Sequence, residues 1–169
     1  MPSPPDEEPR YNGWLVLLWP TFARRYEELR AEARRLKTTL SPDDYVQHPV
    51  VKLAAAISRL VTRVVPRDPN APEYRLRGSL AGFRRAKGRG LPPRYRLFWV
   101  FSSRRKIIIF LYVNTEGVLR KEGDKNDVYA VFERLVRRGD IGADFEAAYA
   151  RLEDLESTLT LPEGETDGS

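Results

Sequence analysis

Seven consecutive apolar residues, Ile107 to Val113, sit between Lys106 and Asn114. The run is too short to cross a bilayer, which takes about 20 residues, and its length suits a strand. Upstream, Arg94 to Phe101 reads as its neighbouring strand, with SSRR as the turn between the two. Short extended segments near Glu73 to Leu76 and Gly82 to Lys87 come before that pair. The middle of the chain therefore has strand character.

On either side the period becomes helical. Phe22, Tyr26, Leu29, Ala33 and Leu36 recur at three- and four-residue steps, predicting a helix over 21–38. Val50, Leu53, Ala54, Ile57, Leu60, Val61 and Val64 predict a second, from Pro49 to Val64, stopped by Pro66 and followed by the connector PRDPNAP. Val128, Val131, Phe132, Leu135 and Val136 mark a third, ended by Gly139. Phe145, Ala148, Tyr149, Leu152 and Leu155 mark a fourth, from Ala143 to Ser157. YNGWLVLLWP, near the start, reads as a short buried strand. The order β-α-α-β-β-β-α-α predicts an α+β fold with a small antiparallel sheet. One domain is expected over 11–159, between a disordered tail at 1–10 and a disordered acidic tail at 160–169.

Composition removes several chemistries. The chain has no cysteine, so thiol catalysis, disulfides and cysteine-ligated zinc are excluded. His48 is the single histidine; it precedes Pro49 and reads as a cap or loop residue, so neither a histidine pair nor a Ser-His-Asp triad is available. Asp43 with Asp44, and Asp124 with Asp127, lack metal-ligand spacing, and the second pair fits a helix N-terminus. KGRG lacks the lysine and hydroxyl of a phosphate loop. No metal or cofactor is expected. MPSPPDEEPR is acidic and proline-rich, unlike a signal peptide, which points to the cytoplasm and to no membrane partner.

The net charge of +5 is unevenly spread. Tyr74 to Thr115 holds eleven Arg and Lys and no Asp or Glu, so the remainder carries eighteen bases against twenty-four acids, a net of −6. Aromatic residues lie among those bases, a combination that suits a polyanion with stackable bases. Arg85 and Lys87 are two apart, on one face of a strand, with Arg84 beside them; Arg94 and Arg96 are spaced likewise on the next strand. Asn114 ends a strand, Arg120 and Lys125 follow, and Tyr129 falls in the first turn of a helix. Gathered at one sheet edge, such residues can cleave RNA without histidine: guanidinium groups stabilise the phosphoryl charge while a lysine or tyrosine moves the proton. They can equally hold phosphates without cutting them, or dock an acidic protein.

YNGW, RYRLFW and VNTEGVLRKEGDKNDVYAVF, in that order, resemble the YhaV family of bacterial type II toxins over roughly Tyr11 to Arg138. Asn114, Leu119, Arg120, Gly123, Lys125, Asp127, Tyr129 and Phe132 fall where the family motif has them. The resemblance implies a RelE-like α+β fold and an endoribonuclease that cuts mRNA, on the ribosome or free of it, and so arrests translation. It implies Arg85, Lys87, Arg96, Arg120, Lys125 and Tyr129 as the catalytic set, with an arginine at 85 where the wider superfamily often has lysine. Arg84, Arg94 and Asn114 are then expected to bind substrate. It also implies a cognate antitoxin similar to PrlF, with an AbrB-type DNA-binding domain, through which alone the toxin would meet operator DNA.

Overall fold

The computed structural model describes residues 9–115 and 122–159. Most of both tails, and Arg120 with its neighbours, lie outside those residues. The elements are β1 (Arg10–Tyr11), β2 (Trp14–Leu18), α1 (Pro20–Thr39), α2 (Pro42–Gln47), α3 (Pro49–Arg59), β3 (Arg84–Ala86), β4 (Leu97–Ser102), β5 (Ile107–Val113), α4 (Val128–Arg137) and α5 (Phe145–Leu159). This is an α+β fold around a five-stranded sheet of order β1-β2-β5-β4-β3.

The expected antiparallel pairing holds from β5 through β4 to β3, and β2 adds one parallel pair against β5, making the sheet mixed. Parallel neighbours need a long crossover, and here all of α1 to β4 lies between them. YNGW belongs to a hairpin rather than to one strand: Asn12 and Gly13 both take positive φ, the two-residue turn that Asn-Gly favours, and join β1 to β2. The helix expected to reach Val64 stays α-helical only to Arg59, then widens into a π turn over Leu60–Val64 and tightens into a 3-10 turn over Val65–Arg67. Pro66 accounts for this, because its ring clashes with the carbonyl four residues back and it donates no hydrogen bond. The strand expected from Arg94 starts only at Leu97, since Arg94 sits in a turn at φ 72°. The segment near Glu73 resolves into a 3-10 turn, Pro72–Tyr74, and a single bridge between Arg75 and Arg84.

Side-chain alternation gives the sheet two covered faces. Arg85 pairs with Phe98, and Phe98 stacks on Phe132 of α4 at 4.1 Å between ring centroids. Arg84 pairs with Trp99 and Trp99 with Phe110, so these three share the opposite face, where Phe110 stacks on Phe22 of α1. Phe132 also meets Phe83 edge-on at 5.0 Å and is fully buried. Phe132→Ala is expected to cost about 3–5 kcal/mol by cavity formation, read as a lowered midpoint in urea denaturation with an unchanged slope.

Candidate functional site

The basic segment divides in two. Arg89 pairs with Glu73 and lies over the Tyr74 ring; Arg105 reaches Glu146 and lies over Tyr149; Lys106 lies over Trp14. Arg84 donates to Asn70 Oδ1 and to the carbonyls of Ala81 and Phe83, on the face away from α4. Burial, reinforced by Arg75, lowers its guanidinium from the ordinary value. Arg84 is thus held within the fold on the face opposite Arg85, because adjacent strand residues point to opposite faces.

Arg85, Lys87 and Arg96 collect at one end of the β3–β4 hairpin. Ala86 pairs with Leu97, so Lys87, one step past β3, and Arg96, one step before β4, flank the same end. Arg85 is half-buried, and its Nε is buried with no acceptor among the described residues. A buried donor left in this state is costly unless something supplies an acceptor. Lys87 is exposed.

The centre of the cluster joins residues 33 apart in the chain. Arg96 Nε donates to the Tyr129 hydroxyl oxygen at 3.1 Å, and Arg96 Nη1 donates to the Tyr95 carbonyl at 2.9 Å. A guanidinium carries five N–H groups, so Arg96 retains donors for a further anion. The Tyr129 ring meets Phe98 edge-on at 5.7 Å, which fixes the phenol over the sheet. Asp127 starts α4 as expected: its Oδ2 accepts from the Tyr129 backbone N–H at 3.0 Å. His48 likewise caps α3, its Nδ1 accepting from the Val50 N–H. Tyr112 is set apart from proton transfer near neutral pH, because burial pushes its hydroxyl up to about 12 against the opposing pull of Arg25.

Asn114, just past the end of β5, is tied into the backbone around Arg96. It is fully buried, its Oδ1 accepting from the Arg96 backbone N–H at 2.8 Å and its Nδ2 donating to the Arg94 carbonyl at 3.1 Å. It pins the backbone that presents Arg96. Asn114→Ala removes both part-buried hydrogen bonds, each worth about 0.5–1.5 kcal/mol. The variant is expected to melt several degrees lower than the wild type, measured by thermal unfolding.

Arg94 is exposed in its turn, with its carbonyl taken by Asn114. Lys125 is exposed ahead of α4, and its carbonyl accepts from Arg134. Neither side chain is brought to Arg96 by a contact within the described residues, and Arg120 lies outside them. Arg25 went unnoticed in the sequence although its guanidinium reaches the electrostatic surroundings of Tyr112. On a helix rich in arginine nothing distinguishes it from surface neighbours. Among the described residues, no three His, Cys, Asp or Glu side chains gather to hold a metal ion, and no helix is long and apolar enough to cross a membrane.

A family described as a toxin with endonuclease activity, of a toxin-antitoxin system, matches residues 16–152. Curated relatives include Toxin YhaV of Escherichia coli O6:H1 (strain CFT073) and Ribonuclease toxin YhaV of Escherichia coli K12. Each is 34% identical over 155 residues, covering 88% of this chain and 98% of the relative. No solved structure matches the chain.

Proposed function

The chain belongs to the YhaV family of endonuclease toxins of toxin-antitoxin systems, and from that premise we propose that it cuts mRNA at the Arg96–Tyr129 pair. The observation that carries the proposal is the guanidinium held against the phenol oxygen, beside Arg85 and Lys87. A surface that only grips phosphate has no use for a phenol oriented this way, whereas proton transfer does.

The reaction follows from what RNA brings. The 2′-oxygen attacks the adjacent phosphorus and forms a new P–O bond as its proton leaves. The bond to the 5′-oxygen breaks, giving a 2′,3′-cyclic phosphate on one fragment and, once a proton is delivered, a 5′-hydroxyl on the other. Tyr129 is placed to move a proton, and Arg96 supports negative charge as it develops on the phenol oxygen and the phosphoryl oxygens. Arg85, half-buried on the face it shares with Lys87, offers its guanidinium charge to a phosphoryl oxygen, and Lys87 supplies a mobile ammonium near the leaving group. Asn114 and Asp127 are positioning residues. Positive charge that another nuclease would draw from a metal comes here from side chains.

A toxin of this kind has a cognate antitoxin. We take it to be PrlF-like, with operator DNA met only through the antitoxin complex and the toxin acting in the bacterial cytoplasm, on ribosome-bound or free mRNA. Induced expression in a bacterium, with growth and mRNA integrity followed together, tests the activity. Growth arrest with fragmented mRNA is expected; normal growth and intact mRNA, with soluble protein verified, would overturn it.

A further inference from the structure

A cleft of about 440 Å³ is lined by residues that neighbour the Arg96–Tyr129 cluster in the chain. Its walls include Pro49 and Val50 from the start of α3, Pro92 and Tyr95 from the approach to β4, and Arg25 of α1, with Thr115 at the end of β5. A second cavity of about 250 Å³ shares Arg25 and Thr115 and is lined also by Tyr112. Arg25 is half-buried, and its Nε is a buried donor with no acceptor among the described residues. Among the described residues, no acidic side chain lines the larger cleft. Proline and tyrosine rings with one unmatched guanidinium suit a ligand that has a flat apolar part and an anionic part.

Two backbone steps link this cleft to the cluster. Tyr95 and Thr115 line the cleft, while their chain neighbours Arg96 and Asn114 belong to the cluster. The cleft and the cluster therefore adjoin along the chain at two places, close enough for one RNA strand to reach both.

We propose that the Arg25 cleft is a nucleotide subsite, taking the phosphate and base of an RNA residue that adjoins the scissile one. It rests on the assignment of RNA as substrate, and it goes further by naming where a flanking nucleotide is read. Arg25 donates to the phosphate oxygens, and the Pro49, Pro92 and Tyr95 side chains flank the base. The sequence preference of cleavage is then set partly by what this cleft admits.

The test uses 2′-O-methyl oligoribonucleotides of increasing length, which bind but cannot be cut, and the full-length protein. Affinity is measured by fluorescence anisotropy over a range of salt. The wild type should gain affinity at the length that first fills the cleft. Arg25→Met should lose that gain, roughly 10-fold or more for a hydrogen bond to a charged group, with the salt slope reduced by about 0.7 for one phosphate contact on a single strand. Val50→Trp, which fills the cleft and leaves Arg25 in place, should lose the gain as well. Equal affinity and slope in wild type and Arg25→Met would overturn the subsite. So would a variant that binds RNA normally but no longer captures antitoxin, which would assign the cleft to the antitoxin. A wild type that binds these probes yet leaves unmodified RNA intact, with or without ribosomes, would contradict the cleavage activity and not the subsite. A wild type that binds none of them would overturn both.

Discussion

Arg96→Ala is expected to slow RNA cleavage by about 10²–10³-fold, the usual consequence of removing one preorganised donor from a site of developing negative charge. The fold should survive, because Asn114 holds Arg96 through its backbone N–H, and the side chain is half-buried with one bond to Tyr129 and one to the Tyr95 carbonyl. RNA affinity should fall only by about one phosphate contact, visible as a shallower salt dependence. Arg96→Lys keeps the charge but loses the planar fork, so it should restore binding better than rate. Single-turnover cleavage measured beside thermal unfolding separates these effects. A folded Arg96→Ala protein cleaving at the wild-type rate would remove Arg96 from the mechanism.

Tyr129→Phe removes one oxygen and little else. The ring keeps its edge-on contact with Phe98, and the α4 cap from Asp127 reaches the backbone rather than the phenol. Stability should therefore change by less than the approximately 1–3 kcal/mol of a buried unsatisfied group, since Arg96 can turn its Nε toward water. The expected effect is on kcat, about 10²–10⁴-fold for a group that transfers a proton, with KM close to that of the wild type. If KM rose and kcat held, Tyr129 would be a binding residue, and proton transfer would pass to Lys87.

Why the pair was legible in the sequence, and other parts were not, comes down to range. Strand alternation put Arg85 and Lys87 on one face, and the 3.6-residue period put Tyr129 in the first turn of α4. Both are local rules, and both elements formed with the expected character. Local alternation also separates Arg84 from Arg85, yet a run of like charges hid that distinction until Asn70 and two carbonyls were seen to hold Arg84. Arg94 was misplaced because the turn closed by the Tyr95 N–H on the Pro92 carbonyl delays the strand to Leu97. The parallel β2–β5 pair joins segments about ninety residues apart along the chain, and no local period encodes such a partner. The Asn12–Gly13 turn was written in the sequence and is recoverable from the dipeptide alone. Asn114 shows the opposite limit: a polar residue at a strand end reads as a ligand-binding group until its burial reveals two backbone partners.

The ends of the RNA fragments test the central claim most directly. Purified full-length protein is incubated with RNA, with and without ribosomes, in the presence of a chelator, and the product termini are mapped. Attack by the 2′-oxygen at the Arg96–Tyr129 pair predicts 2′,3′-cyclic phosphate and 5′-hydroxyl ends. Fragments ending in 3′-hydroxyl and 5′-phosphate, or RNA left intact by an active preparation that arrests growth in cells, would contradict it.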